Sequence, residues 1–151
     1  MLKIAPEPPD TDDALALLRQ ADVFSAALYP VEGRHPMSSA DLLAAPARFF
    51  VASIDRHAVG CAALLIYAPG RGELKRMFVA ASARGQGVGH ALLRHIETAA
   101  RFEGVRIIQL ETGPQSLAAL HLYRCNGYVE RGPFGIYQAS PHSVFMEKQL
   151  A

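Results

Sequence analysis

The residues best suited to chemistry are Arg84-Gly85-Gln86-Gly87-Val88-Gly89, in which three glycines fall within five positions just ahead of an amphipathic stretch. Glycine lets the backbone approach a ligand closely, and the first amides of a helix have no partners inside it. Such a bend is suited to an anion. A diphosphate fits best, because several N–H groups and the positive end of the helix dipole converge on it. Spacing separates the ligand classes that use this physics. A nucleoside triphosphate P-loop needs Gly-x-x-x-x-Gly-Lys-Ser/Thr, and the chain has none. A dinucleotide-binding turn needs Gly-x-Gly-x-x-Gly directly after a strand, yet counting from Gly85 the last position is His90, and from Gly87 it is Leu92. Glu111 does lie about twenty residues beyond the glycines, where a dinucleotide fold keeps its ribose-binding acid. That reading stays as an alternative, weakened by the roughly five residues between Val79 and Gly85 and by the few strand-helix units that follow. His121 and Cys125 share a helical i, i+4 spacing, but no Cys/His cluster offers the remaining ligands zinc requires, so no metal is expected.

To present this bend the chain must place a strand before it and a helix after it. Glu73 to Val79 reads as that strand, following the turn Pro69-Gly70-Arg71-Gly72. Val88, Leu92, Ile96 and Ala99 recur at helical spacing up to Phe102, and Gly104 stands where a left-handed C-cap is wanted. Upstream, Lys3 to Ala5 is a short strand, and Thr11 caps a helix running through Leu15, Leu18 and Phe24 toward Leu28. Tyr29 to Ser39 breaks the periodicity and leads to a short helix near Asp41 to Ala45. Arg48 to Ile54 and Val59 to Tyr67 are strands separated by Asp55-Arg56-His57-Ala58, hence antiparallel neighbours. Downstream come a strand over Val105 to Glu111, a helix over Ser116 to Cys125 closed by Asn126-Gly127, and strands over Tyr128 to Glu130 and Ser143 to Lys148. Antiparallel strands feeding one strand-helix-strand unit make a mixed α/β sheet with helices on its faces. No repeat, low-complexity tract or linker divides the chain, so residues 1–151 are expected to form one domain.

Arg84 to Gly89 matches the Arg/Gln-x-x-Gly-x-Gly/Ala signature with which GNAT acetyltransferases hold the pyrophosphate of acetyl-CoA, and the chain resembles that superfamily. The downstream run Ala119-Leu120-His121-Leu122-Tyr123-Arg124-Cys125-Asn126-Gly127-Tyr128 is similar to the family's late helix and turn. The likeness is clear over roughly residues 48 to 150 and rests on element order before that. It looks like a bacterial subgroup of unassigned substrate. It implies an α/β (α+β) fold with a mixed, mostly antiparallel central sheet of about seven strands flanked by about four helices. It also implies acetyl transfer from acetyl-CoA to an amine by direct attack in a ternary complex. Met77, Phe78 and Val79 fall where the family's fourth strand pairs with pantetheine, and a bulge there frees backbone N–H groups for the oxyanion. Arg84, Gly85, Gln86, Gly87, Val88, Gly89 and His90 would form the cofactor loop. Ser116 would touch the cofactor, or cap its helix with the hydroxyl. Tyr123 matches the tyrosine that protonates the departing thiolate, and its bland alternative is an aromatic packed in an amphipathic helix. Glu111 matches a general base, and Glu73 is its rival, with a plain turn carboxylate as the simpler reading of Glu73. In relatives the amine enters between the loop after the first helix and the last strands, here Tyr29 to Ser39 and Gly132 to Ser143. Arg34, His35, Arg76 and Tyr137 are the candidate substrate contacts, and a guanidinium among them could clamp a carboxylate, with solvated surface cations as the alternative.

Composition bounds the partners. The 151 residues are 50% hydrophobic and carry a formal net charge of +1, so the positive field of a nucleic-acid binder is missing and none is expected as a partner. The N-terminus lacks a secretory apolar region and the longest apolar run, Val59 to Ala68, is too short to cross a bilayer, so a soluble cytoplasmic protein is expected. Cys61 and Cys125, each among apolar residues, read as reduced core thiols. A small-molecule amine is the expected acceptor. A protein or peptide acceptor is disfavoured because the two entry loops contain only Glu32 as a carboxylate. A non-catalytic acetyl-CoA sensor would need neither Tyr123 nor Glu111. A homodimer is a suggestion of the family alone.

Overall fold

Apolar residues occupy both sets of alternating positions in Arg48 to Ile54, so a sheet built on them must be covered on both sides. The computed structural model, which describes residues 1–34 and 36–150, is arranged in this way. Its strands are β1 (Leu2–Pro6), β2 (Ala47–Ile54), β3 (His57–Ala68), β4 (Arg71–Val79), β5 (Ile107–Thr112), β6 (Val129–Arg131) and β7 (Val144–Gln149). The helices are α1 (Asp12–Leu28), α2 (Ser39–Ala44), α3 (Val88–Phe102) and α4 (Leu117–Cys125). The strands form one sheet in the order β1-β2-β3-β4-β5-β7-β6. Only β4 and β5 run parallel; the other neighbouring pairs are antiparallel. This is the mixed, mostly antiparallel sheet with four helices, and it removes the dinucleotide-fold alternative, which needs a parallel, doubly wound sheet.

Alternation sorts the core. Phe49, Val51, Cys61 and Ala63 face Ala14, Leu17 and Leu18 of α1 and Leu42 of α2. Phe50, Ala52, Ala62 and Leu64 face Leu92, Leu93 and Ile96 of α3 and Leu120 and Tyr123 of α4. The helix starts follow cap chemistry. Thr11 Oγ1 accepts from Ala14 N at 3.2 Å. Ser38 and Asp41 form a reciprocal capping box, which starts α2 at Ser39 rather than Asp41.

Some expected boundaries move for physical reasons. The β2–β3 reversal needs only Asp55 and Arg56, both with positive φ (49° and 71°), because a two-residue hairpin turn of that kind matches the strand twist. Gly70, at φ 73°, completes the next turn, so β4 already begins at Arg71. Gly104 takes φ 79° at the end of α3, and Val105 N donates back to Ala100 O at 2.9 Å, which delays β5 to Ile107. Cys61 is a buried thiol as expected, but Cys125 is exposed. Cys125 is the last residue of α4, and the buried residues of that helix are Leu120 and Tyr123. Among the described residues no helix is long and apolar enough to cross a membrane.

Candidate active site

The site begins with a defect in β4. Cys61 pairs with Phe78 and Ala63 with Lys75, so two steps along β3 face three along β4. The extra residue is a β-bulge, and Arg76 within it takes φ 56°. The strain is held from both sides. Cys61 Sγ donates to Arg76 O at 3.3 Å, and burial pushes that thiol up to about 12, so it keeps its proton. Arg76 Nη1 donates to Asp22 Oδ1 at 2.7 Å and Nη2 to Leu18 O at 3.1 Å, tying the bulge to α1. The bulge turns β4 away from β5. Their parallel pairing spans only Arg71 to Leu74 against Ile107 to Leu110, while Glu111 and Thr112 pair onward with β7. Beyond Leu74 the two strands therefore diverge.

A cleft of about 1270 Å³ fills this divergence, bounded by α1, β4, the glycine bend, the start of β5–α4 and α4. Ligand pockets for one small molecule usually measure about 300–1,000 Å³, so there is room here for two reactants. At one end lies the bend. Gly85 and Gly87 take φ 80° and 79°, which side-chain-bearing residues rarely adopt, and nothing lies within 4 Å of where a Cβ would stand. Gly87 is the N-cap of α3 and no side chain caps it, so the first helical amides are open to a ligand anion. Gly89 is placed tightly rather than at a positive φ. A Cβ there would lie 3.2 Å from Leu122 Cδ2 of α4. The Arg84 guanidinium stacks 4.8 Å over the Phe24 ring and its Nε donates to Val79 O at 3.2 Å, beside the bend. The residues present thus fit a diphosphate bound through backbone amides.

At the floor are Glu73 and Glu111. Glu73 is buried, which overturns its reading as a plain turn carboxylate. It accepts from Tyr137 Oη at 2.5 Å, and Lys75 Nζ donates to the same hydroxyl at 2.8 Å while standing 3.6 Å from Glu73 Oε2. Burial, and then the Glu73 hydrogen bond, push the Tyr137 hydroxyl well above the phenol range, so it stays a donor. Glu111 Oε2 accepts from Ser143 Oγ at 2.9 Å. Tyr123 is buried, lines the cleft from α4, and is raised above the ordinary phenol value by that burial.

Most of the expected residues share this one cleft: Met77, Phe78, Val79, Arg84, Gly85, Gly87, Val88, Gly89, His90, Glu111, Ser116, Tyr123, Arg34 and Arg76. Gln86 does not line it; its side chain folds back to Ser82 O at 3.3 Å. Tyr137 stands behind Glu73 rather than in the cleft wall. Arg76 lines the wall, but its terminal nitrogens are engaged by α1. Ser116 occupies the N-cap position of α4 without capping it, because its hydroxyl lies 2.7 Å from Tyr29 Oη instead. His35 falls outside the described residues. Two participants escaped the sequence. Lys75 was hidden in the strand pattern. Tyr29 bridges α1 to Ser116 and also accepts from Gln115 N at 3.1 Å, over a Gly113 whose Cβ would overlap its hydroxyl. The Gly113 and Tyr29 types are the only trace of that contact in the sequence, 84 positions apart by subtraction of their numbers.

Comparison with known proteins agrees with this geometry. Residues 15–128 match the model of the acetyltransferase (GNAT) family. Over 148 residues the chain is 42% identical to an IAA acetyltransferase of Azospirillum brasilense, with 97% of each chain covered. A crystal structure from Klebsiella pneumoniae subsp. pneumoniae MGH 78578, of a candidate acyl-CoA N-acyltransferase, aligns with a TM-score of 0.85 and 32% identity over 100% of this chain and 99% of that one. The PaiA N-acetyltransferase of Thermoplasma acidophilum, solved in complex with coenzyme A, aligns with a TM-score of 0.79 and 21% identity over 99% of each chain, a likeness of fold.

Proposed function

Since the chain belongs to the acetyltransferase (GNAT) family, we propose that it moves an acetyl group from acetyl-CoA to the primary amine of a small molecule, by direct attack within a ternary complex. The observation that carries this reading is the divergence of β4 from β5 beyond Leu74, which joins the glycine bend to the two floor carboxylates in one cleft. The related PaiA protein was solved with coenzyme A, which supports acetyl-CoA as the donor.

Three chemical needs are met by named groups. The amine must lose a proton, since an alkyl amine with a pKa near 10 is only about a thousandth neutral at pH 7, a deficit of around 4 kcal/mol. Glu111 takes that proton. Glu73, which accepts from Tyr137 with Lys75 beside it, is its rival for that role. The oxygen of the thioester carbonyl gains charge during attack, and backbone N–H groups of the bulged half of β4, turned away from β5, receive it; a fixed donor of this kind is worth about 3 kcal/mol. Tyr123 gives its proton to the departing sulfur. Its burial keeps the hydroxyl protonated throughout the neutral range.

The test is thiol release from acetyl-CoA over a panel of small primary amines, with Glu111→Gln beside the natural enzyme. We expect amine-dependent thiol release, reduced on the order of 100-fold by Glu111→Gln. Full activity of that variant would move the base elsewhere, and silence over the whole panel would count against small-molecule transfer.

A further inference from the structure

The cations lining the cleft are not equivalent. Lys75 is engaged by Tyr137 and Glu73. Arg76 has both terminal nitrogens on α1. Arg84 stands at the glycine bend, stacked on Phe24. Arg34 differs from all three. It lines the cleft half-buried, its Nε donates to Pro30 O at 3.4 Å, and its backbone N donates to Val31 O at 3.2 Å. The stem is thereby fixed while the terminal guanidinium nitrogens find no partner among the described residues.

The neighbourhood of Arg34 is also built rather than incidental. The loop that carries it touches the loop before β7 so closely that a Cβ on Gly33 would stand 2.6 Å from His142 Cβ. His142 itself lines the cleft, with its backbone N held by Ser140 Oγ at 3.1 Å. A guanidinium fork and an imidazole thus share the place where the two acceptor-side loops meet, and the carboxylates Glu73 and Glu111 lie on β4 and β5 of the same cleft. A cleft with an unpartnered guanidinium on one loop and carboxylates on its strands is matched by a molecule with both charges. A second ammonium near Arg34 would be repelled, whereas a carboxylate would supply the missing acceptors two at a time.

Resting on the transferase reading above, we propose that the acceptor is an amine that also bears a carboxylate, with Arg34 as its specificity-determining contact and His142 as a second donor. The ammonium end then faces the carboxylate that deprotonates it, and the anionic end is read by the fork.

The experiment compares ω-amino acids of increasing chain length with their matched amides, beginning at chains long enough that the carboxyl group no longer alters the amine pKa. Steady-state thiol release is measured for the natural enzyme, Arg34→Gln and Arg34→Lys. We expect the acid to be preferred over its amide by about 10- to 100-fold in kcat/KM, carried mainly by KM. Arg34→Gln should bring the acid/amide ratio close to one, and Arg34→Lys, which keeps charge without the fork, should retain only part of it. Acetyl-CoA should still raise the melting temperature of both variants, which shows that they are folded and that the donor end is intact. Amides turned over as well as acids, or a ratio unchanged in Arg34→Gln, overturns the proposal while leaving amine acetylation standing. Absence of thiol release with every amine in the panel overturns the transferase reading and this proposal with it.

Discussion

Tyr123 lies in the last turn of α4 with its ring 5.8 Å from that of Tyr128 and its side chain buried at the cleft wall. Desolvation is what raises its pKa, so the phenol keeps its proton throughout the neutral range. In the proposed reaction that proton goes to the coenzyme A sulfur as the thioester bond breaks. Tyr123→Phe keeps the packing against Tyr128 and removes only the proton, so kcat should fall on the order of 100-fold while acetyl-CoA affinity changes little. Single-turnover thiol release measures this directly; a rate equal to that of the natural enzyme would reduce Tyr123 to a packing residue. Tyr123 was legible in the sequence because its Leu122-Tyr123 and Gly127-Tyr128 context is local, and the same holds for the glycine bend. Glu73 was not. Its burial and its Tyr137 partner depend on a contact spanning 64 positions, and no neighbouring residue announces it. Arg76 misleads for a related reason, since the bulge that turns it onto Asp22 is a matter of register rather than residue type.

Elements were legible where a period or a cap marks them. The spacing of Val88, Leu92 and Ile96 gives α3, and runs of β-forming residues on either side of a short turn give β2 and β3. The placing of β7 between β5 and β6 was not legible, because strands adjacent in the sheet are not adjacent in the chain. One contact records how that arrangement is locked. Glu97 of α3, with its side chain only 5% exposed, accepts from Tyr128 Oη at 3.0 Å and from Lys148 Nζ of β7 at 3.0 Å and 3.2 Å. Removing the cation would strand a buried carboxylate. Since the Lys148 side chain is 23% exposed, water offsets part of the loss, and Lys148→Met should cost about 2 kcal/mol, read from denaturant unfolding. Adding Glu97→Gln to Lys148→Met should restore part of that stability, because the coupled pair is non-additive. A single variant as stable as the natural chain would show that the pair contributes nothing.

For the molecule as a whole, the cleft draws on α1, β4, α3, β5 and α4, and no contiguous segment contains more than a fraction of its wall. A ligand that touches the glycine bend, the bulged half of β4 and α4 together can therefore recognise only the assembled fold, in which both faces of the sheet are already covered. Linkage turns that geometry into a number. Acetyl-CoA at about 100 times its dissociation constant should add about 2.7 kcal/mol to the native state. For a chain of this length that corresponds to a rise in Tm of roughly 5–10 °C. The rise should grow with the logarithm of the acetyl-CoA concentration, and Gly87→Val should diminish it, because at φ 79° a β-branched side chain is strained and disturbs the amides of the bend. Because the native Tm of Gly87→Val is itself lowered by that strain, the quantity to compare is the increment with ligand, measured for each protein against its own ligand-free Tm. An equal increment in both proteins would place the diphosphate away from the bend, and no increment in the natural chain would remove acetyl-CoA from the account of this cleft.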